Sequence, residues 1–477
     1  MIIGSQFTFG QFGDCSIDPT KYTDLTVSGA FNGNYVQRQD IAVFEGGPGL
    51  AFLLKVRKGT GFQTVWSSTA LDANKLRGRV VTLDADGDGF KNEIAGIYQT
   101  SSTSISILVW KYNSISNNWS YYNSWSSPIG SGYDATKITN RVVAGDFDRD
   151  GKEDDIAAFY DYGGGSTKIH VFQFSGITSV TYTWMYETTG YDCTKITGRL
   201  VSGDFDRDGA YDNIAALYDY TNVGQGVKMH VFKSNGTNLS QLNYFWQVAN
   251  GYDPSKVTGT LVSGNFDDSR YGNWISSGGP HNDDDIVAFY DYGNGNVKTH
   301  TWINNGSQGF SYQWKWESSG FDVNQIRGRV VPLQASTDMG MCTYNVGALY
   351  NYGVSTTNYY RWDNNFSKTW NFNPSINLIC GGKNLLNNDI ALNNEIEEEK
   401  QIDFSIYPNP TNGIIRLANK IDNSDEIEIY NSLGEKINFE FTDNSKTEID
   451  LSNLHKGVYT ILFRSQQQNK KEKLIIN

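Results

Sequence analysis

The heptad Gly-Asp-Phe-Asp-Arg-Asp-Gly occurs twice without change, at residues 145–151 and 203–209. Each copy sets three carboxylates on alternate residues, where they repel one another unless a cation lies between them. Counting from the first aspartate, Asp146, Asp148, Asp150 and Asp154 take positions 1, 3, 5 and 9, with Gly151 at 6 and the backbone carbonyl of Lys152 at 7. Asp204, Asp206, Asp208 and Asp212, with Ala210 at the carbonyl position, repeat the pattern. A third version has Asp84, Asp86, Asp88 and Asn92, with Phe90 at the carbonyl position. Oxygen donors alternating around a sharp glycine turn suit Ca2+, which takes about 6–8 oxygens, whereas Mg2+ prefers a tighter octahedron that keeps more water. An EF-hand needs a bidentate Glu at position 12 between two helices, and here that position is Ala157, Ala215 or Ala95, inside an apolar run. The pattern predicts a calcium loop in a β-hairpin.

Three histidines form a second recurrence. His170, His230 and His300 each follow a lysine by two residues (Lys168, Lys228, Lys298), and Asp161, Asp219 and Asp291 recur just upstream in Tyr-Asp-Tyr. A His–Asp pair can serve as a base and its orienter. Repetition from unit to unit instead favours hydrogen-bonded packing or a repeated ligand pocket, because catalysis usually needs one asymmetric constellation. Two further units carry Leu108 and Tyr360 at the histidine position. Aromatic residues recur as well, at Trp66, Trp125, Tyr186, Trp246 and Trp316. Packing between units is one reading of them. Trp246 and Trp316 join the three histidines as candidate ligand contacts, because an aromatic face can stack on the apolar C–H face of a sugar. The chain contains no Gly-x-Ser-x-Gly, no His-Glu-x-x-His and no convincing pair of catalytic carboxylates.

These residues must be positioned by a repeated unit. Its strongest line is an apolar strand seen six times: DIAVFE (40–45), EIAGIY (93–98), DIAAFY (155–160), NIAALY (213–218), DIVAFY (285–290) and NVGALY (345–350). One strand-like segment precedes each copy and two follow, so each unit has four strands joined by Gly-, Asp- and Asn-rich turns, without helical periodicity. Such a unit cannot bury both faces alone, and six of them stacked in a ring make a β-propeller. The predicted fold is therefore all-β: a six- or seven-bladed propeller over residues 1–377, a linker over 378–401 and a small β-sandwich over 402–477. The first unit (Ala30 in place of the first carboxylate), the fifth (GNFDDSRYG) and the sixth (LQASTDMG) have lost the loop pattern, and no well-formed metal site is expected in them. The N-terminal segment aligns with an outer strand, so the sequence starts inside a blade. This points to a truncated N-terminus or to closure of the ring by that strand.

The 477 residues carry a formal net charge of −13, which argues against a nucleic-acid partner, since affinity for phosphate backbones comes from clustered Lys and Arg. Four cysteines (Cys15, Cys193, Cys342, Cys380) lack metal-ligand spacing and are too few for a disulfide scaffold; Cys342–Cys380 is one candidate bridge. No apolar run is long enough to span a bilayer. The N-terminus lacks the basic start and apolar core of a signal peptide.

Units of the form GDFDRDG…DIAAFYDYG resemble the FG-GAP/VCBS repeats of calcium-binding β-propellers, a family shared by integrin α-chain heads, some fungal lectins and many secreted bacterial proteins. The resemblance covers about residues 1–377 and implies that the loop carboxylates are calcium ligands; the fold itself is not tied to one function. The tail contains IDFSIYPNPTNG, IEIYNSLGEKI, IDLSNLHKGVYTILF and a terminal KLIIN. These motifs, in that order, closely resemble the type A C-terminal sorting domain of the type IX secretion system. That resemblance implies export from a Gram-negative cell through the type IX machinery, and a protein released or held on the outer surface. The expectation is a secreted or surface-attached, calcium-stabilised propeller that binds glycans or cell-surface proteins, as an adhesin or lectin does. The alternative is a binding or spacer module of a secreted hydrolase whose catalytic part lies upstream.

Overall fold

The computed structural model describes most of residues 19–376 and 406–476; residues 1–18, 32–39, 267–283, 337–341, 352–356, 365–369 and 377–405, with shorter stretches, lie outside the described residues. The chain divides into two compact units, residues 1–383 and 384–477.

The described residues of the first unit form six antiparallel sheets, each a meander of consecutive strands, spanning residues 26–68, 80–126, 142–188, 200–248, 262–319 and 330–376. We call these blades I to VI. Blade IV departs slightly: its outer edge is broken into Leu239–Gln241 and Trp246–Val248, both paired with the third strand. The second strand of each blade is apolar through its middle because neighbouring blades cover both of its faces. Ile156 and Ala158 of blade III pack on blade II, while Ala157 and Phe159 pack on blade IV.

The ring closes at six blades. Ile41, Val43 and Phe62 of blade I, with Tyr22 just before it, share a core with Val331, Leu333, Leu349 and Tyr359 of blade VI. At the axis, six backbone hydrogen bonds form a circle: Asp24 N–H to Gly328, Gly328 to Gly259, Gly259 to Gly198, Gly198 to Asn140, Asn140 to Gly78, and Gly78 to Asp24, all at 2.7–2.8 Å. All six residues have left-handed backbones, with φ between 56° and 74°. Only Gly, or Asn and Asp at modest cost, takes this conformation readily, which accounts for the recurrent Gly of Arg-Gly-Arg (77–79 and 327–329), Thr-Gly-Arg (197–199) and Thr-Gly-Thr (258–260). The open question of a seventh blade is thereby answered. The outer strand of blade VI is its own Trp370–Ile376, and the N-terminal segment that aligns with an outer strand lies outside the described residues.

A buried arginine bolts each of four blades to the next. Arg79, Arg141, Arg199 and Arg329 each donate Nε–H to a second-strand carbonyl and NH1 to a threonine hydroxyl of the following blade (Thr139, Thr197, Thr258 and Thr23). The inner strands surround an axial cavity of about 270 Å³.

The second unit is a β-sandwich. A three-stranded sheet (Ile406–Tyr407, Ile414–Leu417, Glu448–Asp450) and a four-stranded one (Lys436–Ile437, Glu426–Tyr430, Gly457–Arg464, Asn469–Ile476) enclose Ile415, Leu417, Ile429, Ile449, Ile461 and Leu474. Among the described residues no helix is long and apolar enough to cross a membrane. Cys193 is a free, buried thiol; Cys15 and Cys380 and the side chain of Cys342 lie outside the described residues, and with them the candidate bridge.

Candidate functional site

Each aspartate loop joins the inner strand of its blade to the second strand. In blade III it runs from Val142–Gly145 to Asp155–Gly163. The first carboxylate accepts the glycine N–H at position 6: Gly89 to Asp84 at 2.8 Å, Gly151 to Asp146 at 3.1 Å, Gly209 to Asp204 at 2.8 Å. The third aspartate accepts the N–H of Phe90, Lys152 or Ala210, each at 3.0 Å. These bonds curl the loop so that carboxylate oxygens of Asp146, Asp148 and Asp150 lie within 4.8 Å of one another, as do those of Asp204, Asp206 and Asp208, and of Asp84, Asp86 and Glu93.

The donor sets fit a hard cation. Asp146 Oδ1, Asp154 Oδ1 and Asn92 Oδ1 are buried oxygens without a hydrogen-bond partner, on residues at most 5% exposed. A buried acceptor left unpaired costs free energy that a metal bond would recover. Burial, then the charges of Asp150 and Asp148, push the Asp154 carboxyl up to about 8. Burial and the neighbouring aspartates likewise push Asp204 and Asp212 to about 7. A cation among these groups would reverse the shift.

Two sets of residues here were missed by motif counting. The first is the opening residue of the second strand. Asp155 accepts the N–H of Asp148 at 2.8 Å, and Asn213 Oδ1 accepts those of Phe205 and Asp206. In blades I and V, Asp40 and Asp285 clamp Phe31 and Phe266 in the same way. Every one of the six apolar runs opens with Asp, Glu or Asn, which is the signal that could have revealed it. Glu93 holds this position in blade II, and burial followed by the charges of Asp88 and Asp84 raises it to about 9. The second set comprises Lys111 and Lys233 on the third strands, which reach into the loops of blades II and IV.

The histidines sit elsewhere, buried between sheets and at most 2% exposed. His170 bonds Tyr162 Oη at 3.2 Å through Nε2 and Tyr133 Oη at 3.1 Å through Nδ1; His300 bonds Tyr292 at 3.1 Å and Tyr252 at 3.3 Å in the same way. His230 Nε2 meets Tyr220 Oη at 3.4 Å. The partner of each is the second tyrosine of Tyr-Asp-Tyr, whereas Asp161, Asp219 and Asp291 accept N–H groups of the adjoining hairpin turns. The His–Asp pairing considered from sequence is therefore absent at all three positions. Trp246 packs edge-on against Trp302 and Tyr252, and Trp316 against Trp362 and Phe321, both partly buried between blades.

Burial, then the nearby lysine charge, pushes His170 and His230 down to about 4 and His300 to about 3. Unfolded histidines take up a proton below about pH 6.5, so in the window from there to about 4 the unfolded chain binds more protons. Stability then falls as pH falls. Between pH 7.5 and 5.0 the thermal midpoint of the wild type is expected to drop further than that of His170→Gln/His230→Gln/His300→Gln, by roughly 1–2 kcal/mol of stability per histidine. Equal drops would contradict the assignment.

Beside the buried histidines lies an exposed surface that recurs on two blades. On blade III, Tyr162 and Trp184 are 52% and 54% exposed; Lys168 Nζ lies 4.9 Å from the Trp184 ring and 3.0 Å from Glu187. On blade V, Tyr292 and Trp314 are 52% and 50% exposed, with Lys298 Nζ 4.3 Å from the Trp314 ring and 2.7 Å from Glu317. Strand register builds both: His170 pairs with Trp184 and Lys168 with Glu187, as His300 does with Trp314 and Lys298 with Glu317.

The model of the secretion system C-terminal sorting domain matches residues 405–477. The tail is thus similar to the type IX sorting domain, which engages the type IX machinery and marks proteins secreted or attached to the outer surface of the cell. No curated protein matches the chain. Among solved structures, the six-bladed β-propeller lectin of Aleuria aurantia is 13% identical, with a TM-score of 0.40 over 74% of this chain and 96% of that one. The SapL1 lectin is 11% identical, with a TM-score of 0.40 over the same shares. An α-L-arabinofuranosidase from Fusarium graminearum is 9% identical, with a TM-score of 0.38 over 73% and 94%. At this distance these likenesses carry no argument about what the chain binds.

Proposed function

We propose that this protein is a glycan-binding propeller of the cell exterior, stabilised by calcium in its aspartate loops. The observation that carries the reading is the repeated exposed constellation of Tyr162, Lys168, Trp184 and Glu187 on blade III and Tyr292, Lys298, Trp314 and Glu317 on blade V. Exposed aromatic rings grouped with an ion pair on two blades offer a contact surface. An ion pair beside each ring offers the donors and acceptors that orient sugar hydroxyls, while the ring face covers the C–H face of the sugar. A continuous apolar surface would instead favour a protein partner, and here charge breaks the surface up. Two shallow sites on one rigid ring gain avidity toward a glycan-coated surface, which suits a chain bearing a surface-sorting tail.

The test is binding of the full chain to a glycan array, followed by titration with the best glycan. Trp184→Ala/Trp314→Ala is expected to lose binding at unchanged melting temperature, and either single variant to lose about tenfold or more on a multivalent surface. Undiminished binding by the double variant, or no glycan bound at all, would refute the reading.

A further inference from the structure

The three aspartate loops differ in one residue of the third strand. Lys111, opposite Glu93 in blade II, forms ion pairs with Asp86 and, at 3.5 Å, with Glu93. Lys233, opposite Asn213 in blade IV, forms ion pairs with Asp206 and, at 2.6 Å, with Asp208. Arg149 reaches across from blade III to Asp208 at 3.0 Å and Asp212 at 3.3 Å. Blade III has Gln173 at this register, beside the Ile156–Phe172 pair. Two ammonium groups meet this loop: Lys152 pairs with Asp150 at 3.0 Å on a side chain 40% exposed, and Lys91 pairs with Glu153, which is not among the proposed ligands. All three loops hold buried oxygens without a hydrogen-bond partner, Asp146 Oδ1 and Asp154 Oδ1 in blade III, Asn92 Oδ1 in blade II and Asp206 Oδ1 in blade IV, so the third-strand residue is what separates them.

Resting on the calcium reading above, we propose that blade III holds the one tight calcium site of this protein, and that in blades II and IV the Lys111 and Lys233 ammonium groups stand where the cation would be. An ammonium supplies three donors and one positive charge to the same oxygens a divalent ion would ligate. A calcium ion entering blade II or IV must first expel it and bear the repulsion of a displaced neighbour. In blade III only Lys152, on a side chain 40% exposed, has to swing off Asp150 into solvent. The lysine-filled loops keep their shape without metal, whereas blade III keeps its shape through calcium.

The test is calorimetric titration of the calcium-stripped full chain with Ca2+, alongside Gln173→Lys and Lys111→Gln/Lys233→Gln. One tight site is expected in the wild type. Gln173→Lys, which introduces the ammonium without deleting a ligand, should weaken it by about tenfold or more, and the double glutamine variant should raise the number of tight sites above one. Three equivalent sites in the wild type would overturn the inference while leaving calcium binding intact. So would an unchanged affinity in Gln173→Lys with its fold verified by circular dichroism. No binding by any of the three proteins would overturn the calcium reading itself.

Discussion

Leu474→Asp is expected to abolish appearance of the protein on the cell surface and in the medium. Leu474 is fully buried in the terminal strand Asn469–Ile476, in the same core as Ile415, Ile449 and Ile461. That strand also accepts the Thr411 N–H on the Ile475 carbonyl at 2.8 Å, tying the start of the sandwich to its last residues. A carboxylate cannot be buried there unpaired without costing several kcal/mol, and a sandwich of this size has little stability beyond that. The sorting tail would then fail to fold, and export depends on it. Immunoblots of cell, surface and medium fractions should find Leu474→Asp only inside the cell, with Leu474→Met, which conserves volume, exported normally. Normal export of Leu474→Asp would show that the machinery reads the tail unfolded.

Arg79→Ala should destabilise the propeller by about 3–5 kcal/mol, more than any single surface change. The guanidinium is 4% exposed and bonds the Ile97 carbonyl at 3.1 Å, the Lys75 carbonyl at 2.7 Å and, across the blade boundary, Thr139 Oγ1 at 2.6 Å. Alanine strands those acceptors and opens a cavity, and the acceptors account for most of the cost. Burial lowers the group only to about 10, so it remains charged at neutral pH. Blade V indicates how the loss can be softened: Thr260 replaces the arginine and bonds the carbonyls of Phe289 and Val257 itself. Arg79→Thr is therefore expected to lose less than Arg79→Ala. Urea unfolding should show both as a lowered midpoint at unchanged slope; a midpoint unmoved in Arg79→Ala would contradict the bolting role.

Much of the architecture was legible before any coordinates. Six apolar runs, each within a unit of four strand-like segments, predict a propeller of six or seven blades, because a sheet with two apolar faces has to be covered on both. The Asp-x-Asp-x-Asp-Gly spacing is a local pattern, and local hydrogen bonds from Gly89, Gly151 and Gly209 reproduce it in the fold. The sorting tail was equally plain, since its motifs follow one another along the chain.

The histidines were harder to place. Repetition puts His170, His230 and His300 at one strand position, but their burial depends on the tyrosines that cover them, and Tyr133 and Tyr252 come from the links leading into the blade. The exposed members of the same blade faces, Trp184 and Trp314, were passed over because a strand's alternation says which residues share a face and not which end of that face meets water. Sequence alone determined the repeat, the aspartate-loop pattern and the sorting tail. Tertiary structure decided the closure at six blades, the burial of the histidines and the presence of Lys111 and Lys233 inside two of the three loops. The reason is register: a side chain on the third strand meets a loop before the second only once the hairpin between them has set which residues stand opposite.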